Sequence, residues 1–371
     1  MDRSHEACAG AGQRAVQDQR EAGVPGEQRY SDGQSHLRHL DVQENVMNKL
    51  PIIAAMIGDP AGIGPEVCVK TIVARELATV CKPILIGDAT VVERAVKICR
   101  INRKVTRIDS PDTPLKEDAI GVLDPGTLQP DDYTVGKASA KSGRAVVEWI
   151  RLGESLGSSG RINGLVLAPV DSDSLKLGGV VKDIDDLQPP DTFMFRVSGA
   201  LRVVPITEHI RMRDIPATVK TARIVHVIRM LDENMKRWGL PKPRIAVAGL
   251  NPHAMFEEDR EEVAPAVAQA KGLGIDASGP ISPDSVFRMV LDRRYDAVVT
   301  MYHDQGQVAV KTAAFEGACT IYMGLPYVMV NVPHGSAFDI AGKGVAQHYS
   351  ILAAMKTAAA LAAGRGFLAD A

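Results

Sequence analysis

Short β-branched apolar runs recur along this chain, each stopping at a small or polar residue and each followed by a stretch in which apolar positions return with helical spacing. The runs Ile52–Ile57, Pro83–Gly87, Gly164–Val170, Leu201–Glu208, Ile245–Leu250 and Ala297–Thr300 predict strands. Helices are predicted over Val67–Val80, Ala89–Cys99, Ala138–Leu156, Thr218–Trp238, Glu261–Lys271 and Tyr349–Ala363. In the third of these Val146, Val147, Ile150 and Leu156 share one side, and Gly239 and Pro241 end the fourth. Alternation of this kind predicts an α/β fold with a mostly parallel sheet covered on both faces. Arg103 to Tyr133, rich in Asp, Pro and Thr, reads as strands and loops. Asp171 to Phe195 is the least regular stretch, and its acids Asp183, Asp185, Asp186 and Asp191 belong either to a solvated loop or to the lining of a cleft.

The pattern is missing from residues 1–46, which are rich in Gln, Arg, Glu, Gly and Ser; this segment is expected to be a disordered extension, with Met47 as the natural start. At 371 residues the chain is long enough for two domains, and 45% hydrophobic residues supply sizeable cores. A formal charge of −2 leaves no electrostatic footprint for nucleic acid or an acidic membrane. No apolar run approaches the roughly 20 residues that cross a bilayer. Five scattered cysteines without a CxxC pair or a secretory segment point to a reducing, cytoplasmic setting.

Candidate chemistry sits where strands end. His209, His253 and His303 each follow a predicted strand, the position at which α/β sheets bind ligands. A lone histidine in apolar surroundings is more often a hydrogen-bonded structural residue than a ligand, but three in one context suggest a metal site. Three neutral imidazoles leave a coordination position open for substrate, as in catalytic zinc centres. The loop Gly58-Asp59-Pro60-Ala61-Gly62-Ile63-Gly64-Pro65-Glu66 either lets a ligand approach backbone at a helix N-terminus or is a tight turn. In His334 to Gly344, small-residue turns flank Asp339, which could accept hydrogen bonds from ribose hydroxyls and would repel the extra phosphate of NADP. No GxGxxG fingerprint follows any predicted strand, which argues against a Rossmann dinucleotide site.

Taken together, GDPAGIGPE at 58–66, TEHIRMRDI at 207–215, LNPHA at 250–254, MYHDQG at 301–306 and HGSAFDIAGKG at 334–344 resemble the 4-hydroxythreonine-4-phosphate dehydrogenase family of pyridoxal phosphate biosynthesis, from about Met47 to the end. The first and last motifs are also similar to isopropylmalate and isocitrate dehydrogenases. The resemblance implies two α/β/α domains, one formed by residues 47–165 and 318–371 and the other by 166–317, with the active site in the cleft between them. It also implies a homodimer whose partner completes that site. His209, His253 and His303 would hold one divalent metal. Zinc is favoured by the all-imidazole set, with magnesium, manganese or cobalt as alternatives. Lys311 and Asp284 would be catalytic, Lys311 also touching substrate. NAD would lie on His334, Gly335, Ser336, Asp339 and Gly342.

This sequence also departs from the family. The glycine-histidine-threonine-glutamate segment that grips substrate is absent, and Asp191 and Thr192 are its nearest counterpart. An arginine of the phosphate-specific enzyme is replaced by Met329, and its asparagine partner by Thr320. Losing an arginine fork beside a phosphate costs about 2–5 kcal/mol. The sequence therefore predicts a substrate other than the phosphate ester. The leading expectation is an NAD- and metal-dependent dehydrogenase of a hydroxy acid, with decarboxylation of a β-keto acid product. A cis-dihydrodiol dehydrogenase of the terephthalate type and a non-catalytic metal- or nucleotide-binding relative are the alternatives.

Overall fold

The computed structural model describes residues 50–129, 131–182, 184–313 and 318–368, without the side chains of 184 and 185. The expected N-terminal extension and Asp183 lie outside the described residues. Among the described residues the strands are β1 (Ile52–Met56), β2 (Lys82–Ile86), β3 (Lys104–Ile108), β4 (Ala119–Leu123), β5 (Gly164–Leu167), β6 (Phe193–Ser198), β7 (Leu201–Pro205), β8 (Ile245–Ala248), β9 (Ala277–Ile281), β10 (Ala297–Thr300), β11 (Cys319–Met323) and β12 (Val328–Asn331). They form one sheet in the order β3-β4-β2-β1-β5-β12-β11-β6-β7-β10-β8-β9. The helices are α1 (Gly64–Ile72), α2 (Arg75–Ala78), α3 (Ala89–Ile98), α4 (Ala140–Ser158), α5 (Ser172–Gly178), α6 (Ile215–Thr218), α7 (Thr221–Arg237), α8 (Ala264–Gly272), α9 (Pro283–Leu291), α10 (His303–Ala313) and α11 (Tyr349–Ala362). None of them is long and apolar enough to cross a membrane.

The central strands are mostly apolar because both of their faces are buried, whereas β3 at the sheet edge, with Lys104, Thr106 and Arg107, is largely exposed. Val298 of β10 joins Leu201, Val203, Ala246 and Ala248 in a cluster with Val286 and Val290 of α9 and Val310 of α10. Its neighbours Ala297 and Val299 join the larger core instead. The two-residue period thus feeds alternate side chains to opposite layers, as in sheets sandwiched by helices.

The sheet is parallel in two blocks, not throughout. β3, β4, β2, β1, β5 and β12 pair in parallel, as do β7, β10, β8 and β9. Between them β11 is antiparallel to both β12 and β6, and β6 is antiparallel to β7. Three consecutive reversals leave the second block running opposite to the first. The carboxyl ends of the two blocks consequently lie on opposite edges of the sheet.

Three local expectations need correction. The helix expected over Val67–Val80 breaks at Val73, after β-branched Thr71 and Ile72, and restarts as the short α2. The supposedly irregular stretch from Asp171 contains α5, capped by Asp171, whose carboxylate accepts from the Ser174 amide at 2.7 Å, and the start of β6. The glycine- and proline-rich run 279–284, which by sequence predicts a turn, is the end of β9 running into α9, with Asp284 in the helix's first turn.

Candidate functional site

β7, β10 and β8 are adjacent and parallel, so their exits lie side by side on one edge, and from these exits come His209, His303 and His253 respectively. His303 opens α10, and its ring packs against that of His209 with centroids 4.9 Å apart. Glu208, His209, Ile210, Tyr302 and His303 line a cavity of about 190 Å³. His253 stands apart from this pair. Its Nδ1 lies 3.5 Å from the Ser282 hydroxyl and 3.7 Å from an Asp284 carboxylate oxygen. Among the described residues no three His, Cys, Asp or Glu side chains group closely enough to hold an ion.

The donor chemistry nevertheless fits a divalent cation. His303 Nδ1 is 2.7 Å from Asp304 Oδ1, and Asp284 faces the same ring atom of His253. At His303 the carboxylate fixes the tautomer and leaves Nε2 as the ligating atom, whereas the 3.7 Å from Asp284 to His253 is too long for a hydrogen bond. His253 and Ala254 are both held at φ 54°, in the left-handed region that L-residues rarely adopt. Strain of this kind persists only where surrounding contacts enforce it. Here the buried Asp259 enforces it, accepting from the amides of Leu250 at 2.6 Å and Phe256 at 3.3 Å.

Gln305 couples two of the exits. Its carbonyl accepts from the Met301 amide at 2.7 Å and its amide donates to the Gly249 carbonyl at 2.8 Å, tying the start of α10 to the His253 loop. A Cβ on Gly306 would lie 2.5 Å from Val203 Cγ1, so glycine is required for α10 to lie this close to β7. Asp284 has its carboxyl held below the ordinary value, first by the Ser282 hydroxyl, which donates to it at 2.6 Å, with a smaller effect from His253.

The other expected site residues lie elsewhere. Lys311 is near the far end of α10, about 12 Å along the axis from His303 at 1.5 Å per residue. With Arg196, Gln307 and Thr320 it lines a small cavity of about 30 Å³ that reaches Pro333. Asp191 and Thr192 precede β6; Asp191 is exposed, whereas Thr192 is buried and donates its hydroxyl to the Pro189 carbonyl at 2.6 Å. Met329 is fully buried in the core, 4.0 Å from the Tyr327 hydroxyl, so the chain as folded presents no methionine surface to a substrate there.

The loop over 334–344 lies on the opposite edge from the histidines, against the glycine-rich turn after β1. Ser336 accepts the Ile63 amide through its carbonyl at 2.9 Å, and Glu66 accepts from the amides of Gly342 at 2.5 Å and Gly344 at 2.8 Å. Lys70 adds bonds to the carbonyls of Gly344 and Ala346. The two glycine-bearing motifs thus form one unit with Glu66 as its clasp. Asp339 and Gly342 are exposed on it, His334 is half-buried, and the buried Ser336 hydroxyl has no hydrogen-bond partner.

Sequence reasoning gives Glu66, Gln305, Arg196 and Asp259 no role of their own. Glu66 and Gln305 stand inside quoted motifs, and a polar residue in a stretch of small residues was a usable signal. Nothing local marks Arg196, an arginine inside an apolar strand, beyond the oddity of its burial. Burial pushes the thiols of Cys68, Cys81 and Cys319 up to about 12, which removes them as nucleophiles at neutral pH.

Comparison with known proteins agrees with the motif reading. The profile of the family described as pyridoxal phosphate biosynthetic protein PdxA matches residues 79–358. A protein of Novosphingobium aromaticivorans with the provisional name 4-hydroxythreonine-4-phosphate dehydrogenase is 39% identical over 318 residues, covering 85% of this chain and 96% of its own. One from Clostridium botulinum, provisionally named a D-threonate 4-phosphate dehydrogenase, is 35% identical over 328 residues, 85% of this chain and 98% of its own. The crystal structure of a 4-hydroxythreonine-4-phosphate dehydrogenase from Burkholderia phymatum superposes with a TM-score of 0.75 at 34% identity, covering 85% of this chain and 99% of that one. Matched across nearly the whole length of such relatives, the chain belongs to the PdxA family and is a dehydrogenase, an oxidoreductase acting on a hydroxyl group.

Proposed function

We propose that the protein is an NAD-dependent, divalent-metal-dependent dehydrogenase of a small hydroxy acid, and that its working unit is a homodimer. The observation that carries this reading is the exit of His209, His303 and His253 from three adjacent parallel strands, with the first two rings 4.9 Å apart. His209 and His303 of one subunit would hold the ion through ring nitrogens, with His253 supplied by the second copy. Zinc suits an all-imidazole set best. When bound, the ion supplies Lewis-acid chemistry that makes a substrate hydroxyl more acidic.

The chain's own residues divide the remaining work. Lys311 pairs with the substrate's acidic group, and Thr320 in the same cavity adds a hydrogen bond. Asp284 lies 3.7 Å from His253 Nδ1 and is exposed enough to accept a proton at the edge of the site. On the other edge Asp339 accepts from ribose hydroxyls, and the backbone of Gly335 and Gly342 lets the nucleotide lie close. A bound nicotinamide would supply the acceptor for the hydride of the hydroxyl-bearing carbon, and Asp284 would take the hydroxyl proton. A β-keto acid product would lose carbon dioxide afterwards.

Two features support the dimer. The histidine edge and the nucleotide loop lie on opposite edges of one chain's sheet and on strands at least three places apart in its order. Ile210, Met212, Met255 and Phe256 are apolar and exposed beside the histidines, an apolar surface suited to a second copy. We assign the β3-to-β11 block and the β6-to-β9 block to the two domains, the boundary falling between β11 and β6.

The test combines two inactive variants. His253→Ala and His303→Ala proteins are each expected to lose NADH production on a panel of hydroxy acids. Mixed under subunit-exchange conditions, they should recover up to about a quarter to a half of wild-type activity through hybrid dimers. Full activity of either variant alone would overturn the metal assignment, and no recovery on mixing would overturn the shared site.

A further inference from the structure

Arg196 is a buried charge in the middle of the central antiparallel ladder, opposite Val203 of β7 on one side and Thr320 of β11 on the other. Its side chain is 6% exposed. Such a charge needs a partner, since an unpaired guanidinium in the interior is expensive. The partner is Glu208, met as a two-pronged fork: one guanidinium nitrogen donates to Oε1 at 3.2 Å and the other to Oε2 at 2.6 Å. The first nitrogen also donates to the Met194 carbonyl at 3.2 Å.

Glu208 directly precedes His209, and the same short segment is fastened elsewhere too, the Ile206 carbonyl accepting from the Arg223 guanidinium at 2.9 and 3.1 Å. The Ile206 amide donates to the Thr300 carbonyl at 2.8 Å, and the buried Thr207 hydroxyl donates to the Met301 carbonyl at 3.3 Å. Those two bonds tie the segment to the strand that delivers His303. Directly before the exposed histidine, Glu208 is held by Arg196, and the Ile210 amide turns back to the Glu208 carbonyl at 2.8 Å. The position of the His209 ring against His303 therefore depends on where Arg196 holds the preceding carboxylate.

We propose that Arg196 is a positioning residue of the metal site: its fork on Glu208 sets the placement of His209. This rests on the reading of His209 and His303 as ligands. Lysine cannot reproduce the role, because an ammonium is a point charge and cannot hold both carboxylate oxygens in a plane. Partners that orient metal ligands typically change affinity about 10- to 100-fold when removed.

The experiment uses full-length protein and cobalt(II) as the probe, read by calorimetry and by the visible absorption of the bound ion. Arg196→Met and Glu208→Gln should each weaken cobalt binding about 10- to 100-fold and alter the visible spectrum, with Arg196→Lys falling between them and wild type. Arg196→Met/Glu208→Met, which removes both charges, should recover thermal stability without recovering the spectrum, separating positioning from folding. If Arg196→Met does not fold, Glu208→Gln and Arg196→Lys carry the same comparison. Wild-type protein that takes up cobalt, with folded variants matching its affinity and spectrum, would overturn this inference alone. Wild-type protein that takes up no cobalt would overturn it together with the ligand reading.

Discussion

Asp59, at the exit of β1, gives the structure a stability that should fall as pH rises. Its side chain is fully buried, one carboxylate oxygen accepts from the Ala61 amide at 2.8 Å, and the other has no hydrogen-bond partner. Burial pushes the carboxyl up from its ordinary 3.8 to about 6, helped by the charge of Asp171 and opposed by the Ser174 hydroxyl and the Ala61 amide. The sign follows from proton counting. Between those two values the folded protein binds more protons at this site than the unfolded chain, so stability declines as pH climbs from about 3.8 to 6, and the loss persists above. At roughly 1.36 kcal/mol per pH unit the decline amounts to about 3 kcal/mol. Asp59→Asn keeps the acceptor for Ala61 and cannot ionise. It should match wild type near pH 4 and exceed it by up to about 3 kcal/mol at pH 8. Urea unfolding of both proteins across that range provides the difference curve, in which the other titrating groups cancel. A difference that does not change with pH, or an asparagine variant less stable at pH 8, would refute the argument.

Two further substitutions address the loops. Glu66→Ala removes the acceptor for both Gly342 and Gly344 and should cost about 2–4 kcal/mol, from the usual worth of hydrogen bonds to a charged group, while weakening NAD binding measured by calorimetry. Unchanged nucleotide affinity in a folded variant would detach this loop from cofactor binding. Gly306→Ala drives a methyl against Val203 and Thr300, both on strands that cannot yield, and should lower stability by about 1–3 kcal/mol in thermal unfolding.

What the sequence disclosed, and what it withheld, divides along physical lines. Two-residue and helical periodicities are local, so the strands delivering His209, His253 and His303 and the class of the fold were readable. Sheet direction is not local. Whether β6 pairs antiparallel with β11 depends on residues more than 100 positions apart, and the reversal that separates the histidines from the loop over 334–344 was invisible. Residue chemistry alone puts Met329 beside the substrate; packing shows its side chain buried in the core. Arg196 and Glu208 are 12 positions apart and on different sides of a hairpin, so their pairing could not be read without its geometry.

The reversal at the seam between β11 and β6 has a consequence for how such a scaffold can diversify. Each rim of the sheet is furnished by its own set of loops, anchored on strands of its own block. Substitutions in the loop around Asp339 need not disturb the imidazole rim, and changes among the histidine loops leave the Glu66 clasp intact. One backbone can therefore let its two rims vary as separate traits.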